Sequence, residues 1–191
     1  MSLYDVIVSR RTVRQYRSEP VPRTMLERLV NAGRLAPSAA NRQPLEFVVV
    51  DDGEVCGRIF PCLKWAAYIA PEGDPKPGQE PTAYVVVLVN TAIRDTMYEW
   101  DSGAAVENVL LAAWEEGVGT CWLISVDKDK IHDILAVPDS FRVDSVIALG
   151  YPAEEPVAED MTDSVKYWKD ESGRLHVPKR VLSSVIHFNK F

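Results

Sequence analysis

SRRTVRQYR, residues 9–17, sets four arginines within nine positions, with Arg10, Arg11 and Arg14 around Thr12. It closes a short segment in which Leu3, Val6 and Ile7 have the i, i+3, i+4 spacing of one helix face. Such a cluster is either a solvated face neutralised by the chain's own acids or a partner, or a site for a small anion. One helix length later comes APSAANRQPLEFVVV, residues 36–50, where small and amide-bearing residues lead through Pro44 into an apolar, β-branched run. Together they outline a short helix, a basic turn, a second helix, a tight loop and a strand.

The rest follows from these two stretches outward. Pro20 and Pro22 break the chain before the second helix, where Thr24 and Glu27 have capping-box spacing and Met25, Leu26, Leu29 and Val30 form the apolar stripe. That helix ends near Pro37, which leaves residues 38–41 as a loop. Residues 47–50 read as a buried strand stopped by Asp51-Asp52-Gly53, and helical material is expected over 54–69. The stretch PEGDPKPGQEP, residues 71–81, is an excursion, either a lid over a pocket or a surface loop. A strand is expected at 84–89, and the longest helical pattern at 98–116 with Ala105, Val109, Ala112 and Ala113 inward. GVGTCWLIS, residues 117–125, reads as a turn and a strand, followed by a helix at 128–135 and a last central strand at 143–149. Residues 150–160 have the look of an extended linker. The tail beyond carries Tyr167, Trp168, Val177 and Phe188, too many large apolar groups for a free end, so it is expected to dock. Strands and helices interleave without strict βαβ spacing, which points to an α+β fold in one domain over residues 1–191.

Charge is unevenly spread. The net charge is −7, yet residues 1–34 hold seven arginines against Asp5, Glu19 and Glu27, a local +4 that leaves −11 for the remainder. An acidic protein with one basic zone suits a small anionic ligand and argues against nucleic acid or anionic membranes. Cys56, Cys62 and Cys121 are odd in number and form no C-x-x-C, so they read as reduced, buried thiols. With no apolar run near the ~20 residues of a membrane span, the expected setting is soluble and cytoplasmic.

Several chemistries are excluded by pattern. Gly117-Val118-Gly119 begins like a dinucleotide fingerprint, but Trp122 stands where the third glycine belongs. There is no Walker A sequence and no G-x-S-x-G, and His132, His176 and His187 lack metal-ligand spacing. What survives is a pocket for a phosphorylated planar cofactor, because guanidinium groups bind phosphate oxygens through paired, charge-assisted hydrogen bonds.

The arginine stretch, the PSAANRQP loop and GVGTCWLIS together resemble the FMN-dependent nitroreductase family, with its RR-[ST]-x-R element, PSxxNxQP loop and G-[IL]-G-x-C-W-[IL] strand. Thr12 for the commoner Ser and Leu45 for the commoner aromatic after QP are departures. The resemblance implies a central mixed or antiparallel sheet flanked by helices, and a homodimer with flavin at the interface and a C-terminal extension wrapping the partner. It implies that Arg10, Arg11, Thr12, Lys179 and Arg180 hold the phosphate of FMN. It places Arg14 at the flavin pyrimidine edge, where a cation favours the reduced, anionic ring. Pro37, Ser38, Ala39, Asn41 and Gln43 would line the isoalloxazine and its polar rim. The main chain of Leu123, Ile124 and Ser125 would lie near flavin N5. No side chain is expected to act as acid or base. The implied activity is ping-pong, two-electron transfer from NAD(P)H to nitroaromatic, quinone or related acceptors. Alternatives are a flavin-binding redox sensor or store, and a branch with another flavin reaction such as reductive dehalogenation.

Overall fold

The apolar run AYVVVLVN forms β2 (Ala83–Asn90), and alternation along it divides the protein interior in two. Tyr84, Val86 and Leu88 face one core; Ala83, Val85 and Val87 face the other. The computed structural model describes residues 2–191. Its main sheet has the order β1-β2-β4-β3, with β1 (Leu45–Val50), β3 (Gly119–Leu123) and β4 (Phe141–Gly150), all pairs antiparallel. The core with Val85 and Val87 is closed by α2 (Arg23–Arg34) and α4 (Glu99–Glu115), through Leu26, Leu29, Val106 and Val109. The opposite core is closed by α3 (Gly53–Ile59) and α5 (Lys128–Ile134), through Ile59 and Ile131. Each fully buried aliphatic side chain contributes about 1.5–3 kcal/mol relative to exposure.

Some local expectations change. α1 (Leu3–Ser9) is capped reciprocally by Ser2 and Asp5, but only Val6 of its apolar face is buried; Leu3 and Ile7 are exposed. α2 begins at Arg23 behind Pro22 with no side-chain cap, so Thr24 lies inside the first turn and the Thr24–Glu27 capping box is not formed. The helical stretch expected over 54–69 stops at Ile59. A 3₁₀ turn, Phe60–Cys62 with Pro61 at its centre, follows there, and Leu63 then leaves to bridge Val126. Residues 150–160 are more than a linker: they end in β5 (Val157–Asp160), which pairs in parallel with β7 (Leu175–Lys179). With β6 (Trp168–Lys169) these make a second sheet of order β5-β7-β6, which docks the middle of the tail. Beyond it Leu182 and Phe188 are exposed.

The basic turn is laid along the free edge of β3. Thr12 bridges Thr120, the Val13 amide donates to the Thr120 carbonyl at 2.9 Å, and the Arg17 amide donates to Tyr151 O at 2.8 Å. Glycine permits this approach. A Cβ on Gly119 would stand 2.9 Å from Val13 Cβ, and one on Gly150 would stand 2.8 Å from the Tyr16 ring. The 71–81 excursion is fastened over the same segment: Gln15, 4% exposed, donates to Asp74 O and accepts from the Lys76 amide, while Tyr16 N donates to Gln79 O. Among the described residues no helix is long and apolar enough to cross a membrane.

Candidate cofactor site

The edge-laid segment opens onto a cavity of about 180 Å³ lined by Arg10, Arg11, Thr12, Arg14, Tyr167, Val177 and Lys179. Both ends of the chain therefore meet here. Strand alternation explains which tail residues take part: Val177 and Lys179, two apart on β7, share a face toward the cavity. Arg180 stands outside it, exposed, with its guanidinium donating to the Ser184 carbonyl.

The arginines are not equivalent. Arg11 turns back on α1 and donates to the carbonyls of Arg10 and Val8, closing the helix C-terminus. Burial lowers its pKa, and the charge of Arg10 adds to the effect. Arg10 reaches Glu107 at 3.7 Å. Arg14 lies with its guanidinium carbon 5.3 Å from the Tyr167 ring centroid. Its backbone amide and that of Gln15 donate to Glu154 Oε1, which fixes the turn from 140 and 139 residues away. Cys121 beside it is no nucleophile: burial pushes its thiol up to about 11 despite the opposing charge of Arg14.

Buried donors without acceptors identify what the cavity suits. Arg11 Nε and Arg14 Nε are both buried and unpartnered within the protein. An unsatisfied buried donor costs about 1–3 kcal/mol, more when charged, and an anionic ligand offering acceptor atoms at more than one point among these four cationic side chains would satisfy both. The residues present fit a phosphorylated ligand. At about 180 Å³ the cavity falls short of the roughly 300–1,000 Å³ usual for a cofactor-sized ligand, so one chain encloses only part of such a molecule.

The other predicted element lies elsewhere. Pro37, Ser38 and Gln43 line a separate cavity, also about 180 Å³, between α2, β1 and α4. The loop is wound tightly: Asn41 N donates to Ser38 O at 2.8 Å, and Gln43 N donates to Ser38 Oγ at 3.0 Å. Ala40, Asn41 and Gln43 have φ of 54°, 52° and 49°, left-handed values that cost non-glycine residues about 1–2 kcal/mol each. Ala39 N is held by Asp101 Oδ1 at 3.0 Å, while Asn41 and Gln43 are exposed. The two cavities share no lining residue. The loop precedes β1 at one edge of the sheet, and the arginines lie outside the opposite edge, beside β3.

Leu123, Ile124 and Ser125 continue β3 past the arginines. Leu123 is buried, Ile124 is 59% exposed, and the Ser125 carbonyl accepts from Lys64 N. Farther along that segment, Tyr68 packs its ring 5.0 Å from Tyr167, and its amide donates to the Tyr167 hydroxyl at 3.4 Å. The three residues thus connect to the cavity through the tyrosine pair without lining it.

Sequence reasoning missed Asp101, Glu154, Tyr68 and Tyr167 as site residues. Asp101 had a signal: it lies four residues before Ala105 on the inward stripe of α4, where a carboxylate needs a partner. Glu154 was concealed among the acids of the supposed linker.

The sequence profile described as the Nitroreductase family matches residues 7–151. A protein of Archaeoglobus fulgidus provisionally named an NADH dehydrogenase/NAD(P)H nitroreductase is 31% identical over 157 residues, covering 78% of this chain and 85% of that protein. A crystal structure from Parabacteroides distasonis with the same provisional name has a TM-score of 0.73 at 26% identity, covering 99% of this chain and 98% of that one. A nitroreductase-like structure from Desulfovibrio desulfuricans in complex with FMN shares the fold, with a TM-score of 0.72 at 22% identity over 100% of this chain and 98% of that one.

Proposed function

The chain belongs to the nitroreductase family, and from that premise we propose that it is an FMN-dependent NAD(P)H oxidoreductase acting as a homodimer. Its acceptors are nitroaromatics, quinones or related electron-poor compounds, served in ping-pong order by one flavin-binding domain over residues 1–191. Bound FMN supplies the two-electron chemistry. Arg10, Arg11, Thr12 and Lys179 hold the phosphate, with Arg180 brought in from the tail. Arg14 sits at the pyrimidine edge, and the main chain of Leu123, Ile124 and Ser125 borders the reacting face. Pro37, Ser38, Ala39, Asn41 and Gln43 come from the partner copy. The reduced state of three unpaired buried cysteines suits a cytoplasmic setting.

One observation carries this reading: a cationic half-site with two unsatisfied buried guanidinium donors lies at one sheet edge, and the strained loop lies at the other. A two-fold pairing can set one chain's arginines against the other's loop. The surfaces for it are bare, with Leu3 70% and Tyr4 72% exposed on α1 and Leu182 and Phe188 exposed on the tail.

The test is to purify the protein, record its visible spectrum, and weigh what dissociates on denaturation. A yellow dimer releasing FMN is expected, and Arg10→Ala should weaken binding by roughly ten- to more than a hundredfold, from about 1.5–3 kcal/mol per charged contact. FMN affinity unchanged in Arg10→Ala, or a flavin-loaded monomer in light scattering, would sink the assignment.

A further inference from the structure

Among the described residues, and apart from one contact, the hydrogen bonds of residues 38–43 stay inside the loop: Asn41 N to Ser38 O, Arg42 N to Ala39 O, Gln43 N to Ser38 Oγ and Gln43 Nε2 to Asn41 O. The exception is Ala39 N–H to Asp101 Oδ1 at 3.0 Å. Asp101 is 5% exposed and sits in the first turn of α4, where the helix dipole favours a carboxylate. Its other oxygen, Oδ2, accepts from Arg94 at 3.4 Å, and Arg94 is itself fixed by donation from Nε to Thr96 O at 2.9 Å.

We infer that Asp101 is the positioning residue of the cofactor loop: Arg94 holds one carboxylate oxygen, which leaves the other aimed at Ala39 N–H and pins the left-handed turn that follows. A loop with three left-handed non-glycine residues does not hold that shape by local preference, and its internal bonds would survive a rigid displacement. Between its two ends, Asp101 supplies the hydrogen bond that ties the loop to the rest of the protein among the described residues. The inference rests on the loop's assignment to the flavin site, but its first readout does not.

In Asp101→Asn the amide oxygen turns toward Arg94, because the charge-assisted bond is the stronger. The NH2 group then faces Ala39 N–H, donor against donor, and the anchor fails. Adding Arg94→Met removes the competitor and lets the Asn oxygen return to Ala39. Hydrogen exchange at the Ala39 amide in flavin-free protein should therefore be about ten- to a hundredfold faster in Asp101→Asn and slow again in Asp101→Asn/Arg94→Met. FMN dissociation constants should follow the same order. A general loss of stability would not be repaired by removing a second hydrogen-bonding partner, so the reversal separates positioning from mere support. Wild-type exchange in Asp101→Asn, or a loss that Arg94→Met leaves in place, overturns the inference. The full exchange pattern in a protein that binds no FMN upholds Asp101's role and overturns only the flavin assignment.

Discussion

Gly119→Ala adds one methyl group where the basic turn meets β3. The new Cβ would lie 2.9 Å from Val13 Cβ and 3.0 Å from both Val13 Cγ1 and Pro152 Cγ. Val13 Cβ is one bond from the backbone, and Val13 is fully buried and hydrogen-bonded to Thr120, so no flexible side chain can swing away. Overpacking of this kind costs about 1–3 kcal/mol. For a chain of this length each kcal/mol moves Tm by about 2–4 °C, so Tm should fall by roughly 2–12 °C. Val13 stands between Thr12 and Arg14, and displacing it moves both away from the cavity. FMN affinity should fall by more than about tenfold, the equivalent of one charged contact. Gly103→Ala is the control. It lies in α4 with nothing within 4 Å of a new Cβ, and replacing a mid-helix glycine gains about 0.8–1 kcal/mol. Thermal melts and FMN titrations of the two variants should move in opposite directions for Tm, and only Gly119→Ala should lose cofactor. A Gly119→Ala protein with wild-type Tm and affinity would show that the turn yields freely and that its close seating does not set the site.

Two further outcomes follow from the tail and from Arg14. His176 on β7 lies between Glu159, at 2.8 Å, and Asp170, at 3.3 Å, and stacks on Trp168 at 4.3 Å. The hydrogen bond to Glu159, then that to Asp170, raises its pKa, while the Ser172 hydroxyl and the Arg174 amide, with His176 a smaller influence, hold the Asp170 carboxyl down at about 2. A raised histidine pKa stabilises the folded sheet fully below the ordinary value near 6.5, and that contribution is lost as pH rises through the higher folded value. Trp168 fluorescence should therefore titrate with a midpoint above 6.5, and a flat profile in wild type, or an unchanged one in His176→Gln, would refute the assignment. Arg14→Met should keep most FMN affinity but lower the two-electron midpoint potential by about 30–60 mV, the equivalent of a 1.5–3 kcal/mol contact. A redox titration matching wild type would make Arg14 a structural arginine.

Elements whose cause is local were legible in the chain. The β-branched runs at 47–50 and 84–89 are strands because branching acts between neighbours, and the inward stripes of α2 and α4 follow from 3.6-residue spacing. The arginine turn and the small-residue loop were visible as chemistry for the same reason, since a cluster within nine residues is a cluster in any fold. Which of those groups line the cavity was decided in three dimensions. Arg180 is drawn toward its own tail, whereas Lys179 enters the cavity because strand alternation on β7 turns it there, and Arg11 lines the cavity while its outer nitrogens close the end of α1. The supposed linker became β5 only because β7, some twenty residues later, offered it a ladder. The two anchors, Glu154 under Arg14 and Asp101 under Ala39, act across 140 and 62 residues. No period or motif encodes a bond between residues that far apart. It exists once sheet order has put the arginines and the loop on opposite edges, each beside an acid from another element.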